Sequence, residues 1–156
     1  MGHLFTAVGK DWTHSGVANL YSNIAKNGYR IIYVTSRAIG QSSYTKEFLK
    51  WVEQSGGWRL PDGPCICAPD RLLAAFTREV IQKRPQEFKI AVLRDIANLF
   101  PSQAPFYAGF GNRSTDAESY RAVRVPVQRI FTINPKGDIK LELAETYKST
   151  YAHLLT

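Results

Sequence analysis

The sequence predicts an α/β fold with a mostly parallel sheet. Short β-branched apolar runs such as "YRIIYVTS" (29–36) alternate with longer segments whose apolar residues recur at helical spacing. Turn signals separate them: "NG" at 27–28, "LPDGP" at 60–64 and the P-K-G of 135–137. Such alternation implies right-handed βαβ units, whose crossovers lay successive strands parallel. The 156 residues suffice for a single domain, 1–156, with one continuous core.

Each element has a local reason. Thr13 is placed to cap a helix carrying Val17, Leu20, Tyr21 and Ile24 on one face, and Asn27-Gly28 ends it. The run 29–36 reads as a buried strand. A second helix is expected over 42–54, with Tyr44, Phe48, Trp51 and Val52 on or near one face. "CICA" (65–68) follows the "LPDGP" turn as a short strand. Asp70 caps a helix through Lys83, and Pro85 opens another through "PQEFKIAVLRDIANLF". "PFYAGFG" (105–111) is a third strand, with a short helix from Asp116. "RIFTINPKGDIKLEL" (129–143) gives a strand, a turn and a further extended run, and "AETYKSTYAHLLT" is expected to close the chain as a helix.

Hydrophobic content of 44% and charged content of 21% describe a globular chain, not a disordered one. No apolar run approaches the ~18 residues that span a bilayer, and the first residues lack the pattern of a secretory leader. Cys65 and Cys67 would share a strand face, too close in sequence for an ordinary disulfide, and reduced thiols fit a cytoplasmic or nuclear setting. The formal charge of +7 is spread along the chain and favours an anionic partner: nucleic acid, acidic lipid or a phosphorylated substrate. No nucleic-acid motif or basic stripe accompanies it, so no nucleic acid is expected.

In sheets of this kind ligands bind beyond the C-terminal strand ends. That rule selects Thr35-Ser36-Arg37, the segment after "CICA", and Gly109 to Asp116. Thr35 and Ser36 offer hydroxyls and N–H groups suited to phosphate, with local capping as the alternative. Arg37 adds a guanidinium that matches phosphate oxygens. Lys89 sits in the first turns of the Pro85 helix, against the helix dipole; a phosphate-facing role explains it, and so does a surface lysine. In "GFGNRSTD" (109–116) the glycines allow a tight turn. Asn112 and Asp116 offer hard oxygens to magnesium, or else shape the turn and cap the next helix.

On these residues the sequence resembles the catalytic domain of the lipin family, magnesium-dependent phosphatidate phosphatases of the haloacid-dehalogenase-like superfamily. The stretches that carry the resemblance include "GKDWTHSGVANLY" (9–21), "NGYRIIYVTSRAIGQ" (27–41), "REVIQKRPQEFKIAVLRDI" (78–96), "PFYAGFGNRSTDAESY" (105–120) and "RIFTINPKG" (129–137). The resemblance implies a Rossmannoid three-layer sandwich and a Mg2+ cofactor. It implies Thr35 as the phosphate-binding hydroxyl, with Ser36, Arg37 and Arg113 nearby, and Lys89 as the lysine that neutralises the phosphoryl group. Lys83 and Arg84 are the alternative to Lys89. Asn112 is implied as metal ligand, with Asp116 serving the metal loop.

One part of the pattern is missing. The family's D-x-D-G-T strand, bearing the nucleophile and the general acid–base, should precede Gly2-His3, where this chain has only Met1. None of the six aspartates (11, 62, 70, 95, 116, 138) forms D-x-D, so the chain holds no nucleophile. The first strand is therefore expected to be absent and the domain truncated at both ends, short of the family's final hydrophobic segment. The M-G-x-x-x-[ST] myristoylation pattern of "MGHLFT" carries little weight, because Gly2-His3 matches interior family sequence. The expected activity of the family is hydrolysis of phosphatidate to diacylglycerol, in the cytoplasm, peripheral to the endoplasmic reticulum membrane, or in the nucleus. This chain alone is expected to be inactive and to need the missing segments or a partner chain. The alternative is a non-catalytic module binding phosphatidate or other anionic lipid.

Overall fold

The computed structural model describes residues 14–68, 85–101, 104–142 and 148–150. The chain is a mixed α/β protein. Its elements are α1 (Val17–Lys26), β1 (Tyr33–Ala38), α2 (Ser42–Trp51), β2 (Glu53–Gln54), β3 (Trp58–Arg59), β4 (Cys65–Ala68), α3 (Pro85–Ala97), β5 (Gly109–Gly111), α4 (Ser114–Ala122), β6 (Ile130–Ile133), β7 (Asp138–Leu141) and β8 (Lys148–Thr150). The helix expected from Asp70, and Thr13 as a cap, lie outside the described residues, as do Lys83 and Arg84.

The described strands form three sets. β1 pairs in parallel with β4, and β2 pairs antiparallel with β3. The third set runs β5-β6-β7-β8, with β5 and β6 parallel and the other two pairs antiparallel. The antiparallel share follows from connection length, since the short Asn134–Gly137 turn between β6 and β7 can only reverse the chain.

Two expectations are corrected. Residues 148–150 lie in the stretch expected to be helical, yet they pair with β7 through Asp138↔Thr150 and Lys140↔Lys148. A strand partner from elsewhere in the chain overrides local helix propensity there. The second helix stops at Trp51, and its inward residues are Thr45 and Leu49, followed by Val52. Tyr44 and Trp51, expected near the apolar face, stand 69% and 82% exposed. Smaller shifts move the strand expected at 29–36 to Tyr33–Ala38, so that it runs past Thr35 and Ser36, and start α4 at Ser114 instead of Asp116.

Three apolar clusters bind the sets together. Val17 and Leu20 of α1 pack on Ile133 and Ile139 of the four-stranded sheet. The adjacent Ala18 packs with Tyr33, Leu49, Val52 and Leu60 around β1. Leu93 of α3 and Ala117 of α4 cover the opposite side of β6, through Ile130, with Val34 of β1 alongside. Ile130 and Ile133 are an odd number apart, so they face opposite sides of the sheet. α1 therefore lies on one face of β6, and α3 and α4 on the other.

α1 begins without a side-chain cap of its own: Gly16 is left-handed at φ 88. Gln54 of β2 substitutes. Its side-chain oxygen accepts from the Ala18 N–H at 3.0 Å, and its amide donates to the His14 carbonyl at 2.6 Å. The β2–β3 hairpin that carries Gln54 is fixed on α1 by Ser22, whose hydroxyl donates to the Arg59 carbonyl, and by Lys26 stacked over Trp58.

Candidate functional site

β1 and β5 end at one cavity of about 520 Å3, lined among others by Thr35, Ser36, Arg37, Lys89, Asn112 and Arg113. The two strand-end stretches selected from sequence thus converge. The third, after "CICA", lies outside the described residues.

On the β1 side, the Thr35 hydroxyl oxygen accepts from the Arg37 N–H at 3.2 Å. That is the local capping reading, and it uses the hydroxyl as an acceptor, not as a donor. Ser36 is exposed, two residues before the end of β1.

On the other side the organising residue is Asp116, only 3% exposed. Its Oδ1 takes an ion pair from Lys89 Nζ. Its Oδ2 accepts from the backbone N–H groups of Asn112 and Arg113 at 3.0 and 3.2 Å. Asp116 is the third residue of α4, so its carboxylate also reaches back over the helix start, as in half of a capping box. Arginine has no side-chain acceptor, so Arg113 does not supply the other half. The carboxylate reaches this position because Gly111 carries no side chain: a Cβ there would lie 2.4 Å from the Asp116 Cβ.

Magnesium seeks hard oxygens and keeps several waters. Both oxygens of Asp116 are already engaged by protein donors. Asn112 is exposed at the loop, and among the described residues its side chain has no hydrogen-bond partner. No group of three or more His, Cys, Asp or Glu suited to a metal occurs among the described residues. The donor set fits magnesium in kind and supplies one uncommitted oxygen at Asn112, with Asp116 shaping the loop.

Lys89, the fifth residue of α3, lines the cavity, and its pair with Asp116 offsets its mildly unfavourable place near a helix start. Cys65 does not resemble a nucleophile: burial, then the neighbouring Cys67, pushes its thiol up to about 11. Burial likewise raises the Tyr33 phenol, whose hydroxyl donates to the Pro61 carbonyl at 2.8 Å.

The cavity's remaining wall was not singled out as site from sequence. His14 and Val17 stand on it at the start of α1, with Ile133, Asn134 and Pro135 from the β6–β7 turn. Its aromatic floor is Tyr21 on Phe110 at 5.2 Å, with Phe110 stacked on Phe131 at 4.7 Å. The signal lay in the stretches "GKDWTHSGVANLY" and "RIFTINPKG", whose ordered sequence marks them without saying why.

With this geometry in hand, comparison with known families decides the relationship. The family model LNS2 (Lipin/Ned1/Smp2) matches residues 1–156. The chain belongs to the lipin/Ned1/Smp2 family. This lipin-family chain is 53% identical over 159 residues to nuclear elongation and deformation protein 1 of Schizosaccharomyces pombe, covering 99% of the chain and 24% of that relative. It is 49% identical over 167 residues to phosphatidic acid phosphohydrolase 1 of Saccharomyces cerevisiae, covering 99% and 19%. It is 48% identical over 155 residues to the human phosphatidate phosphatase LPIN1, covering 99% and 17%. The chain thus spans about a quarter or less of the length of these lipin-family relatives.

Proposed function

We propose that this chain is the phosphoryl-binding part of a lipin-type phosphatase domain, acting in the hydrolysis of phosphatidate to diacylglycerol and phosphate. The observation that carries the reading is the Lys89–Asp116 pair, locked to the Asn112-Arg113 backbone and sharing one cavity with Thr35 and Ser36. In this reading the Thr35 hydroxyl and the N–H groups at the end of β1 orient the phosphate oxygens. The Lys89 ammonium offsets their charge, and Asp116 fixes where that ammonium stands. Arg37 and Arg113 hold the anion at the cavity edge. Asn112 supplies an oxygen to magnesium, with Asp116 serving the same loop; the bound ion would add Lewis-acid neutralisation of the phosphoryl oxygens.

The finer fold reading is the haloacid-dehalogenase-like sandwich, with one strand to be supplied between β1 and β5. Its support is topological. Among the described residues β1 pairs only with β4, and β5 only with β6, so each has an edge without a described partner, and both strands line the cavity. A strand bearing D-x-D there would set a carboxylate against a phosphate held by Thr35 and Lys89.

The 156 residues contain no D-x-D. Phosphate-monoester hydrolysis needs accelerations up to ~10²¹, and losing a nucleophile costs on the order of 10⁶. The chain by itself is therefore proposed to bind without turning over. Phosphate release from phosphatidate–detergent micelles with magnesium tests this. Turnover by these residues alone that disappears in Asn112→Ala would overturn the proposed inactivity.

A second reading is favoured by the three cations at the cavity, Arg37, Lys89 and Arg113. It is a non-catalytic module for phosphatidate or other anionic lipid at the cytoplasmic face of the endoplasmic reticulum or at the nucleus. Flotation with phosphatidate vesicles should weaken with salt, since surface charges are screened over ~10 Å at 0.1 M. Equal flotation with neutral vesicles would remove this reading.

A further inference from the structure

His14 stands apart from the groups assigned above. Three separate segments hold it. Its carbonyl accepts from the Gln54 amide at 2.6 Å and from the Val17 N–H at 3.2 Å. Its ring lies against the β6–β7 turn at Gly137, where a Cβ would come within 3.0 Å of Nδ1. That glycine is needed twice, for the close approach and for its φ of 87°. The ring lines the cavity, yet among the described residues it has no hydrogen-bond partner.

The wall around it differs from the phosphate end. α1 and α3 lie on opposite sides of β6, so His14 faces the cavity from the side opposite Lys89. Its neighbours there, Val17, Ile133 and Pro135, are apolar. The Asn134 side chain is spent inside the turn: its oxygen accepts from Lys136 and Asp138 N–H groups at 2.9 Å, and its amide donates to the Asp138 carboxylate at 2.9 Å. His14 thus stands with Tyr21 of α1 as a hydrogen-bonding side chain on this side of the cavity, with apolar groups beside it. Such a wall suits the neutral, oxygen-bearing part of a phosphate ester better than the phosphate itself.

We infer that His14 is a specificity residue that contacts the glyceryl oxygens of a glycerophosphate-type ligand, with Gln54 as its positioning residue. The inference rests on the reading of the cavity as a phosphomonoester site.

The test uses the chain with 13C-labelled histidine, its His14 signal assigned by loss in His14→Asn. It is titrated separately with sn-glycerol 3-phosphate and inorganic phosphate, while calorimetry reports binding of each. The expected result is a saturable shift of the His14 signal with glycerol 3-phosphate and little with inorganic phosphate. His14→Asn should weaken glycerol 3-phosphate by about tenfold and leave inorganic phosphate within about twofold, the scale of one hydrogen bond. Gln54→Ala should weaken glycerol 3-phosphate binding while His14 is retained. If both ligands bind and His14 is silent, or responds equally to both, the specificity role is wrong and the phosphate site survives. If neither binds, both fail.

Discussion

Lys89 and Asp116, 27 residues apart in sequence, meet as a largely buried ion pair whose carboxylate also ties down two backbone N–H groups. Breaking a buried pair leaves the survivor desolvated and unpartnered. Asp116→Ala strands Lys89 and both N–H groups at once, and should cost about 3 kcal/mol. Lys89→Met leaves the carboxylate with its two backbone donors and should cost about 1–2 kcal/mol. Urea unfolding of the two variants checks the order. A costlier Lys89→Met would mean that the backbone bonds contribute nothing.

Gly111→Ala should damage the same loop from below. The new methyl would meet the Asp116 Cβ at 2.4 Å, and its carboxyl group at 2.7–2.9 Å, so strand or helix must move. Overpacking of this kind costs about 1–3 kcal/mol. Anion binding, followed by phosphate titration, should fall with it. A variant as stable as the parent and with the same affinity would rule out the tight fit between β5 and α4.

Gln54→Ala removes the substitute cap of α1 and frees the Ala18 N–H. The expected loss is about 1 kcal/mol, the usual cost of a missing cap. Hydrogen exchange at Ala18 should accelerate, while exchange late in α1 should change less. Uniform acceleration along the helix would instead mean a general loss of packing.

Alkaline pH should loosen the fold. Burial raises the Cys65 thiol to about 11, so in the native state it keeps its proton after an unfolded thiol has lost it. Above an ordinary thiol value the unfolded chain binds fewer protons, and stability falls as pH climbs toward 11; the raised Tyr33 phenol extends the decline. Native Cys65 should therefore alkylate slowly at pH 8 and faster toward pH 11. Rapid alkylation of the folded chain at pH 8 would contradict this.

Local chemistry was legible and distant partnership was not. Asn27-Gly28 ends α1 as the turn residues require, Pro85 opens α3, and "CICA" is a strand. Helical spacing put Tyr44 and Trp51 on one face but could not choose the buried one, and the core took Thr45 and Leu49 instead. Lys148–Thr150 is a strand only because β7 offers an edge. For the site, the strand end before Asn112 was readable from its glycines, whereas the end expected at Thr35-Ser36 came two residues early, since β1 runs to Ala38. Asp116 was readable as a loop support, but its bond to Lys89 spans two helices, and Gln54 holding His14 spans 40 residues. No local pattern encodes either.

Neighbouring residues of α1 answer to different cores: Val17 to the four-stranded sheet, Ala18 to the packing around β1. A helix with such divided loyalties is a seam through which the cooperativity of the molecule passes. A change that tilts it by a fraction of a turn improves one interface only at the expense of the other. The first turn of α1 is thereby fixed by two bodies of structure, and the residues just before it, His14 among them, share that rigidity.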